Sequence, residues 1–403
     1  MRVAVLSLIH PAQDAGGSPR GLLRVGGHTL ARHQLALALA LGCERVICIT
    51  PASADPDILA LQHAAESAGA LFHRVPGLHG LLALVTAGDE VIALGDGLLA
   101  WPDVVVRLLG AGSVVLAQPV ELGLLAGFER LDINHASAGA MRVPGRLIES
   151  LGEMPSDVDI FSCLQRIAMQ AGVPQRALPD DLAASGHWSL VRSEAEAQAI
   201  EPRWIASHAG VDGDVAPSRW LAGWSVRALG PALLHAGSSG AVVAVAASVA
   251  AALALVAGWF GFVSLGLIFC ALAWVGFESA ALFGRFERRS LLLPRPRVAP
   301  TVAYGWAMDG TLLFLLAWQE ATPGEALIHR GFGPVMLLGL MRLVPPLLTG
   351  RRAAWFEDRA LLAVVLAGAG MLGVVRLAVA GLAVALLMAG IVAVGRQNKL
   401  TTP

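Results

Sequence analysis

The chain reads as an α/β domain with a mostly parallel sheet, followed by an all-α membrane domain of about six helices. Three observations lead there. Up to residue 205, short β-branched runs alternate with helical patterns, which is how a parallel sheet with helices on both faces is written in sequence. From Gly237 onward, long apolar stretches are separated by short arginine-bearing loops. Over the 403 residues, 56% are hydrophobic and only 15% charged, a balance foreign to one soluble enzyme.

Val3 to Ile9, Arg45 to Thr50, Ala70 to Val75, Glu90 to Leu94 and Ser113 to Ala117 read as strands, with helical periodicity over Thr29 to Leu41 and Asp57 to Ala68. The first apolar run meets His10, Pro11, Gln13 and Asp14 too soon for a secretory signal. A strand fits it better, so the front domain is expected in the cytosol. Cys43, Cys48, Cys163 and Cys270 form no CxxC pair and read as buried thiols. Lys399 is the only lysine, which excludes any mechanism needing a lysine in the front domain. No basic run interleaved with aromatics points to nucleic acid. His28 and His33 lie five apart, off the spacing that lets two rings of a helix share a metal.

Six apolar runs follow, at 241–260, 262–282, 301–318, 332–348, 360–375 and 377–394. Most approach the ~20 residues that span a bilayer. Only Arg376 separates the last two, so they read as a tight hairpin, with five spans as the alternative. With the front domain cytosolic, Arg285, Arg288, Arg289, Arg295 and Arg297, then Arg351, Arg352 and Arg359, then Arg396 and Lys399 all fall on the cytosolic side. The loop Gln319 to Arg330 carries Glu320, Glu325 and one arginine. An even number of spans thus satisfies the positive-inside rule, and a cytoplasmic (inner) membrane with both termini cytosolic is expected. Residues 206–236 form a linker whose Trp220, Leu221, Trp224 and Ala228 share one helical face, either an interfacial amphipathic helix or a docking helix.

Two segments of the front domain suggest chemistry. The first is a glycine-rich loop after the first strand, with Gly16, Gly17 and Arg20, whose backbone amides suit a phosphate. The second is Val91 to Leu99, a buried strand running into Asp96, where a carboxylate suits a divalent ion. Together with Val25-Gly26-Gly27-His28-Thr29-Leu30 they resemble the sugar-phosphate nucleotidyltransferase family, including its inositol-phosphate cytidylyltransferase branch. The resemblance covers most of residues 1–205 and implies a Rossmann-like nucleotidyltransferase domain. It also implies a CTP-type nucleotide at Gly16, Gly17, Arg20 and Asp96, and Mg2+ or Mn2+ at Asp96. The sequence departs from the family in two places. The arginine expected directly after the first strand is missing, and Val191 or Arg192 stands where a second metal-binding Asp belongs.

The domain order adds a second resemblance. A cytosolic nucleotidyltransferase-like domain, an Asp212-Gly213 to Arg219 stretch, an interfacial helix and six spans are similar to the bifunctional inositol-phosphate cytidylyltransferase/CDP-alcohol phosphotransferases. That family places four carboxylates at helical spacing across its second and third spans for two metals and a base. With Arg285 as anchor, Phe277, Ala280, Ala281 and Gly284 occupy the first half of the motif. Gly305 and Asp309 match the second half, and Leu313 replaces the last Asp. One carboxylate of four remains. The resemblance makes Asp309 the catalytic and metal-binding candidate, with Glu278, Arg285 and Arg342 around the membrane site; a buried acid paired with an arginine such as Arg342 is the structural alternative.

Two functions stay open on these grounds. One is a diverged transferase of polar-lipid head-group metabolism using Mg2+ or Mn2+, with a membrane lipid and CTP or a CDP-activated compound as ligands, in a family that commonly forms homodimers. The other is a catalytically inactive pseudoenzyme that binds ligand or scaffolds an active partner.

Overall fold

The computed structural model describes residues 1–14, 16–51, 55–155, 158–179, 182, 187–209, 216–235, 239–293, 300–318, 327–348 and 353–400. The expected residues Asp212, Gly213, Arg295, Arg297, Glu320, Glu325, Arg351 and Arg352 lie outside these. The side chains of Arg396 and Lys399 are not described either. Two compact units emerge, Met1–His208 with Glu287–Pro294, and Ala209–Phe286 with Arg295–Pro403.

In the first unit the strands are β1 (Arg2–Ser7), β2 (Arg24–Val25), β3 (His28–Thr29), β4 (Arg45–Ile49), β5 (Leu71–Val75), β6 (Glu90–Leu94), β7 (Leu98–Ala100), β8 (Val114–Pro119), β9 (His135–Pro144), β10 (Gln175–Ala177) and β11 (Trp188–Leu190). The helices are α1 (Leu30–Ala40), α2 (Pro56–Ser67), α3 (Leu78–Leu84), α4 (Pro102–Leu109), α5 (Val120–Leu125), α6 (Arg146–Glu149), α7 (Ile160–Gln170) and α8 (Glu194–Ala209). Seven strands form one sheet in the order β10-β8-β9-β6-β1-β4-β5. All neighbours run parallel except at β9, which is antiparallel to both β6 and β8.

The five expected strands and two expected helices are present with ends within about two residues. The seven-stranded sheet also holds two strands missing from the expectation, the short β10 and the long β9. The sequence of β9, HASAGAMRVP, is rich in small residues that favour no strand by themselves. It is a strand because both of its edges are paired.

Alternation along each strand explains why the sheet is covered on both faces. Ala4, Leu6, Val46, Cys48, Ile92 and Leu94 point into a core shared with α1, α2 and α4. Val3, Val5, Ile47, Ile49, Val91 and Ala93 point into a second core with α3, α6 and α7. A one-residue slip of any central strand would exchange its two sets. The buried thiols of Cys43 and Cys48 are pushed up to about 12 by desolvation, which makes them inert packing groups.

The second unit is helical: α9 (Pro217–His235), α10 (Ser239–Trp259), α11 (Val263–Ser290), α12 (Pro300–Trp318), α13 (Leu327–Leu343), α14 (Ala353–Phe356), α15 (Arg359–Met371) and α16 (Val375–Leu400). Helices α10 to α13, α15 and α16 coincide with the six apolar runs. Three described helices, at Gly240–Trp259, Val263–Ser290 and Val375–Gly395, are long and apolar enough to cross a membrane. The others fall short for visible reasons. Helix α12 carries the charge of Asp309, α13 has 17 residues that include Arg330 and Arg342, and α15 has 13 residues. Large aliphatics face outward on the long helices, as Val242, Val245, Val249, Leu253 and Val256 do on α10. Small residues face inward, among them Ala247 and Ala254. A Cβ on Gly276 would sit 2.8 Å from that of Ala247, and one on Gly258 2.4 Å from Leu315 Cδ2. Small residues inside and large apolar residues outside is the arrangement a lipid solvent favours.

On α9 the expected face Trp220, Leu221 and Trp224 is exposed, while Ser218, Ala222 and Val226 are buried. Ser225 Oγ lies 2.9 Å from Ser279 Oγ of α11. The helix therefore docks by its small side and turns its aromatic side out.

The first unit also contains a buried aromatic cluster. His208 lies 4.0 Å from Trp101 and 4.2 Å from Trp204 between ring centroids, and Trp204 lies 5.7 Å from His33. Desolvation lowers His33 to about 4 and His208 to about 3. An unfolded histidine takes a proton near pH 6.5, so the unfolded state binds more protons between that value and the folded ones, and the stability of the neutral rings is present above pH 6.5 and lost on acidification. Thermal unfolding of the full-length protein, followed by tryptophan fluorescence, is expected to hold a constant midpoint above pH 6.5 and to fall steadily from there toward pH 4. In His33→Gln the slope of that decline is shallower.

Candidate functional site

The strand order locates a site. The chain builds β4 and β5 on one side of β1 and then returns to the other side with β6. The segments after β1 and β6 therefore diverge, leaving a crevice at the carboxyl ends where such sheets bind ligands. His10 follows β1 and Asp96 follows β6. A cavity of about 120 Å3 lies there, lined among others by His10, Arg20, Asp96, Glu129, Asp159 and Gln165.

Asp96 is buried. Its Oδ2 accepts the backbone N–H of His10 at 2.8 Å and lies 3.5 Å from His10 Nδ1. Its Oδ1 has no hydrogen-bond partner among the described residues. The hydrogen bond to Asp96 raises His10 above its ordinary value against the opposing effect of burial, so the pair carries a proton over a wider pH range than a free imidazole. Gly97 at φ +80° turns the chain away directly after Asp96, and a Cβ there would meet Val191 O at 2.4 Å. That close approach brings β11 beside the strand end, with Val191 N donating to Gly97 O at 2.8 Å.

The segment expected to carry a second acidic ligand thus does lie next to Asp96, but it brings Val191, fully buried, and Arg192. Arg192 is occupied by Glu196, whose carboxylate accepts from the Arg192 backbone and from Nη2, each at 2.7 Å.

The glycine-rich loop is arranged differently from a phosphate cradle. Ala12 N donates to Ser18 O and Arg20 N to His10 O, both at 2.8 Å, so the loop closes on itself as a small hairpin. Gly16 and Gly17 sit at its tip with φ +58° and +93°, and neither lines the cavity among the described residues. The Asp14 carboxylate accepts from Glu194 N and Ala195 N, which fills the N-terminus of α8 that an anion would otherwise use. Arg20 does line the cavity, with its Nε 3.3 Å from Pro11 O.

Sequence reasoning missed Asp159 and Gln165. Asp159 caps α7, with Oδ2 accepting from Ser162 N and Ser162 Oγ. Gln165 is buried and its Nε2 has no hydrogen-bond partner among the described residues. Its signal was a polar residue inside the otherwise apolar stretch Ile160, Leu164, Ala168. Asp96 Oδ1 and Gln165 Nε2 give the cavity one unpaired acceptor and one unpaired donor. A ligand with both functions, such as a base edge or a hydroxyl pair, would satisfy them at the full benefit of removing two buried orphans.

In the second unit the expected residues separate into two groups. Asp309 Oδ1 accepts from Arg359 Nε at 2.6 Å, and its Oδ2 accepts from Arg342 Nε at 2.6 Å and Arg359 Nη2 at 3.1 Å. Arg342 Cζ lies 3.4 Å above the Trp306 ring. Glu278 is elsewhere, 3.7 Å from Arg219 Nε on α9, so the expected gathering of Glu278 with Asp309 and Arg342 does not occur. Arg285 is exposed near the end of α11.

A resident Mg2+ or Mn2+ does not fit these donors. Both oxygens of Asp309 are held by guanidinium groups, and in the cavity Asp96 Oδ2 is held by His10 and Asp159 Oδ2 by Ser162. Among the described residues no three His, Cys, Asp or Glu side chains gather closely enough for a metal, and hard divalent cations need several oxygen ligands.

Two outcomes check this geometry. In Asp96→Asn the His10 ring is expected to titrate nearer pH 6.5 than in the parent, read from its imidazole proton shifts. Gly97→Ala should cost roughly 2–4 kcal/mol in chemical denaturation, from the positive φ together with the clash at Val191.

No protein-family model and no curated protein matches the chain. Among solved structures, the chain is similar to a putative glucose-1-phosphate thymidylyltransferase from Bacillus anthracis, at 12% identity over 50% of this chain and 94% of that one, with a TM-score of 0.41. It is similar to a UDP-glucose pyrophosphorylase from Acinetobacter baumanii, at 11% identity over 52% and 94%, with a TM-score of 0.37. An inositol-1-phosphate CTP transferase from T. maritima matches at 14% identity over 49% and 91%, with a TM-score of 0.38.

Proposed function

We propose that the protein serves polar-lipid head-group metabolism at the cytosolic face of the inner membrane by binding a CTP- or CDP-type ligand. In this reading it is a catalytically silent relative of the nucleotidyltransferase and CDP-alcohol phosphotransferase architecture. The observation that carries it is the state of the two carboxylates: beside Asp96, Val191 and Arg192 occupy the place where the sequence resemblance puts a second acid, and Asp309 is clamped by two arginines. Two-metal transfer needs paired carboxylates in both places, whereas ligand binding needs only the cavity and its unpaired Asp96 Oδ1 and Gln165 Nε2.

Helices α10 to α13, α15 and α16 are six spans in this reading, the shorter ones shielded by the longer. Helix α9 lies at the membrane surface, where Trp220 and Trp224 suit the headgroup level. Active transfer is the second reading, and the free Asp96 Oδ1 favours it, because a metal carried in by triphosphate would find one oxygen there.

Calorimetry on the full-length protein in detergent separates the two. Binding of CTP or CDP without divalent cation, weakened about tenfold by Gln165→Leu and by Asp96→Asn, is the expected result. Turnover of CTP with polyol phosphates, or of CDP-activated lipid with a phospho-alcohol acceptor, above an Asp96→Ala and Asp309→Ala control and dependent on Mg2+ or Mn2+, would replace binding with catalysis.

A further inference from the structure

Two guanidinium groups share one carboxylate in the helical unit, and that imbalance is the feature the proposed function does not use. Among the described residues, Asp309 is the acid paired with both Arg342 and Arg359. The acidic residues that directly precede Arg359, Glu357 and Asp358, are not engaged with either arginine through their carboxylates among the described contacts. Asp358 Oδ1 accepts from Ala360 N and Leu361 N and its Oδ2 from Ser218 N, while Glu357 meets Arg359 only through its backbone oxygen, at 3.4 Å. Arginine stays protonated, and an ionised Asp309 leaves the cluster with one positive charge in excess.

The location decides what such a charge needs. Arg342 is in the last turn of α13 and Arg359 is the first residue of α15. Asp309 lies nine residues into α12, about 14 Å from its start at 1.5 Å per residue. Two helix ends therefore converge on a carboxylate at the midpoint of the 19-residue α12, so the guanidinium groups lie level with the ends of α13 and α15. The arginines are also held differently. Arg359 uses Nε and Nη2 on Asp309, and its side chain is 14% exposed. Arg342 uses Nε and Nη2 on one oxygen of Asp309, keeps 30% of its side chain exposed, and lies flat on the outward-facing Trp306.

We infer that the Asp309-oriented pair Arg342 and Arg359 is a binding site for a phosphate group, supplied either by an anionic membrane phospholipid or by a soluble phosphate. An unbalanced charge among apolar helices is costly, and a phosphate restores neutrality while accepting planar, forked hydrogen bonds from arginine. Asp309 acts as the clamp that fixes the direction of both forks. It holds no metal in this arrangement, so the site is separate in chemistry from the carboxylate-and-metal arrangement that the sequence motif implies, and it stands whether or not the cavity at Asp96 binds nucleotide.

The test uses the full-length protein in detergent micelles, with retention of phosphatidylglycerol, phosphatidic acid or phosphatidylcholine followed by native mass spectrometry. Expected is preferential retention of the two anionic lipids, reduced about tenfold in Arg342→Gln. That variant leaves Asp309 paired one-to-one with Arg359, so folding is preserved, as its circular dichroism melt would show. A purely structural ion pair gives the opposite, with lipid retention unchanged in Arg342→Gln and unselective between anionic and zwitterionic lipids in all variants. Competition by millimolar inorganic phosphate assigns the site to soluble phosphate, and resistance to it assigns the site to lipid. Should Arg342→Gln fail to fold, Arg342→Lys keeps the charge and loses the fork, and equal retention by that variant and the parent would overturn bidentate recognition.

Discussion

A carboxylate withdrawn from water must find a counter-charge or a set of hydrogen-bond donors, and in this protein the answer to that requirement decides what each half can do. Glu278 meets Arg219, Asp309 meets Arg342 and Arg359, and Asp96 takes the backbone and ring of His10. Removing one partner of such a pair leaves a buried charge uncompensated, which is far more costly than the net worth of the pair. The helical unit therefore has little freedom to surrender Asp309 to a divalent cation. At Asp96 the demand is met on one oxygen only, and the crevice retains chemical capacity for that reason.

The first unit shows how topology concentrates that capacity. Alternation along β1, β4 and β6 buries both faces of the sheet, so polar groups are pushed to the strand ends, and the reversal of strand order between β1 and β6 opens a crevice at one end. Gly97 lets β11 approach within hydrogen-bond distance. That approach brings Val191, an apolar residue, to the side of Asp96. On the other side of the crevice, Asp14 spends the N-terminus of α8 on an internal cap. The glycine-rich loop is thus a structural hairpin whose base, His10 and Arg20, reaches the cavity while its tip does not.

The helical unit inverts the usual distribution. Its small residues meet inside, as at Gly276 against Ala247, and its valines and leucines point out. Helix α9 follows the same logic at its own scale, docking through Ser225 and Ala222 and presenting Trp220 and Trp224. The charged cluster around Asp309 lies among these apolar helices, which is why an unmatched arginine there has chemical meaning that it would lack on a solvated surface.

The sequence by itself determined what depends on local periodicity and composition. The five early strands, helices α1 and α2, the six apolar helices and the placement of Asp96 at a strand end were all legible, because strand and helix repeats and the length of an apolar run are properties of neighbouring residues. Asp309 and Arg342 were legible as partners because a charge in an apolar run needs one. What depends on distant neighbours was decided only by the tertiary structure. Strand β9 exists because β6 and β8 flank it, and Asp159 and Gln165 join the cavity from α7, more than sixty residues beyond Asp96. Arg359 completes the clamp on Asp309, and Arg219 rather than Arg342 answers Glu278, since pairing between helices is set by packing and leaves no trace in spacing along the chain.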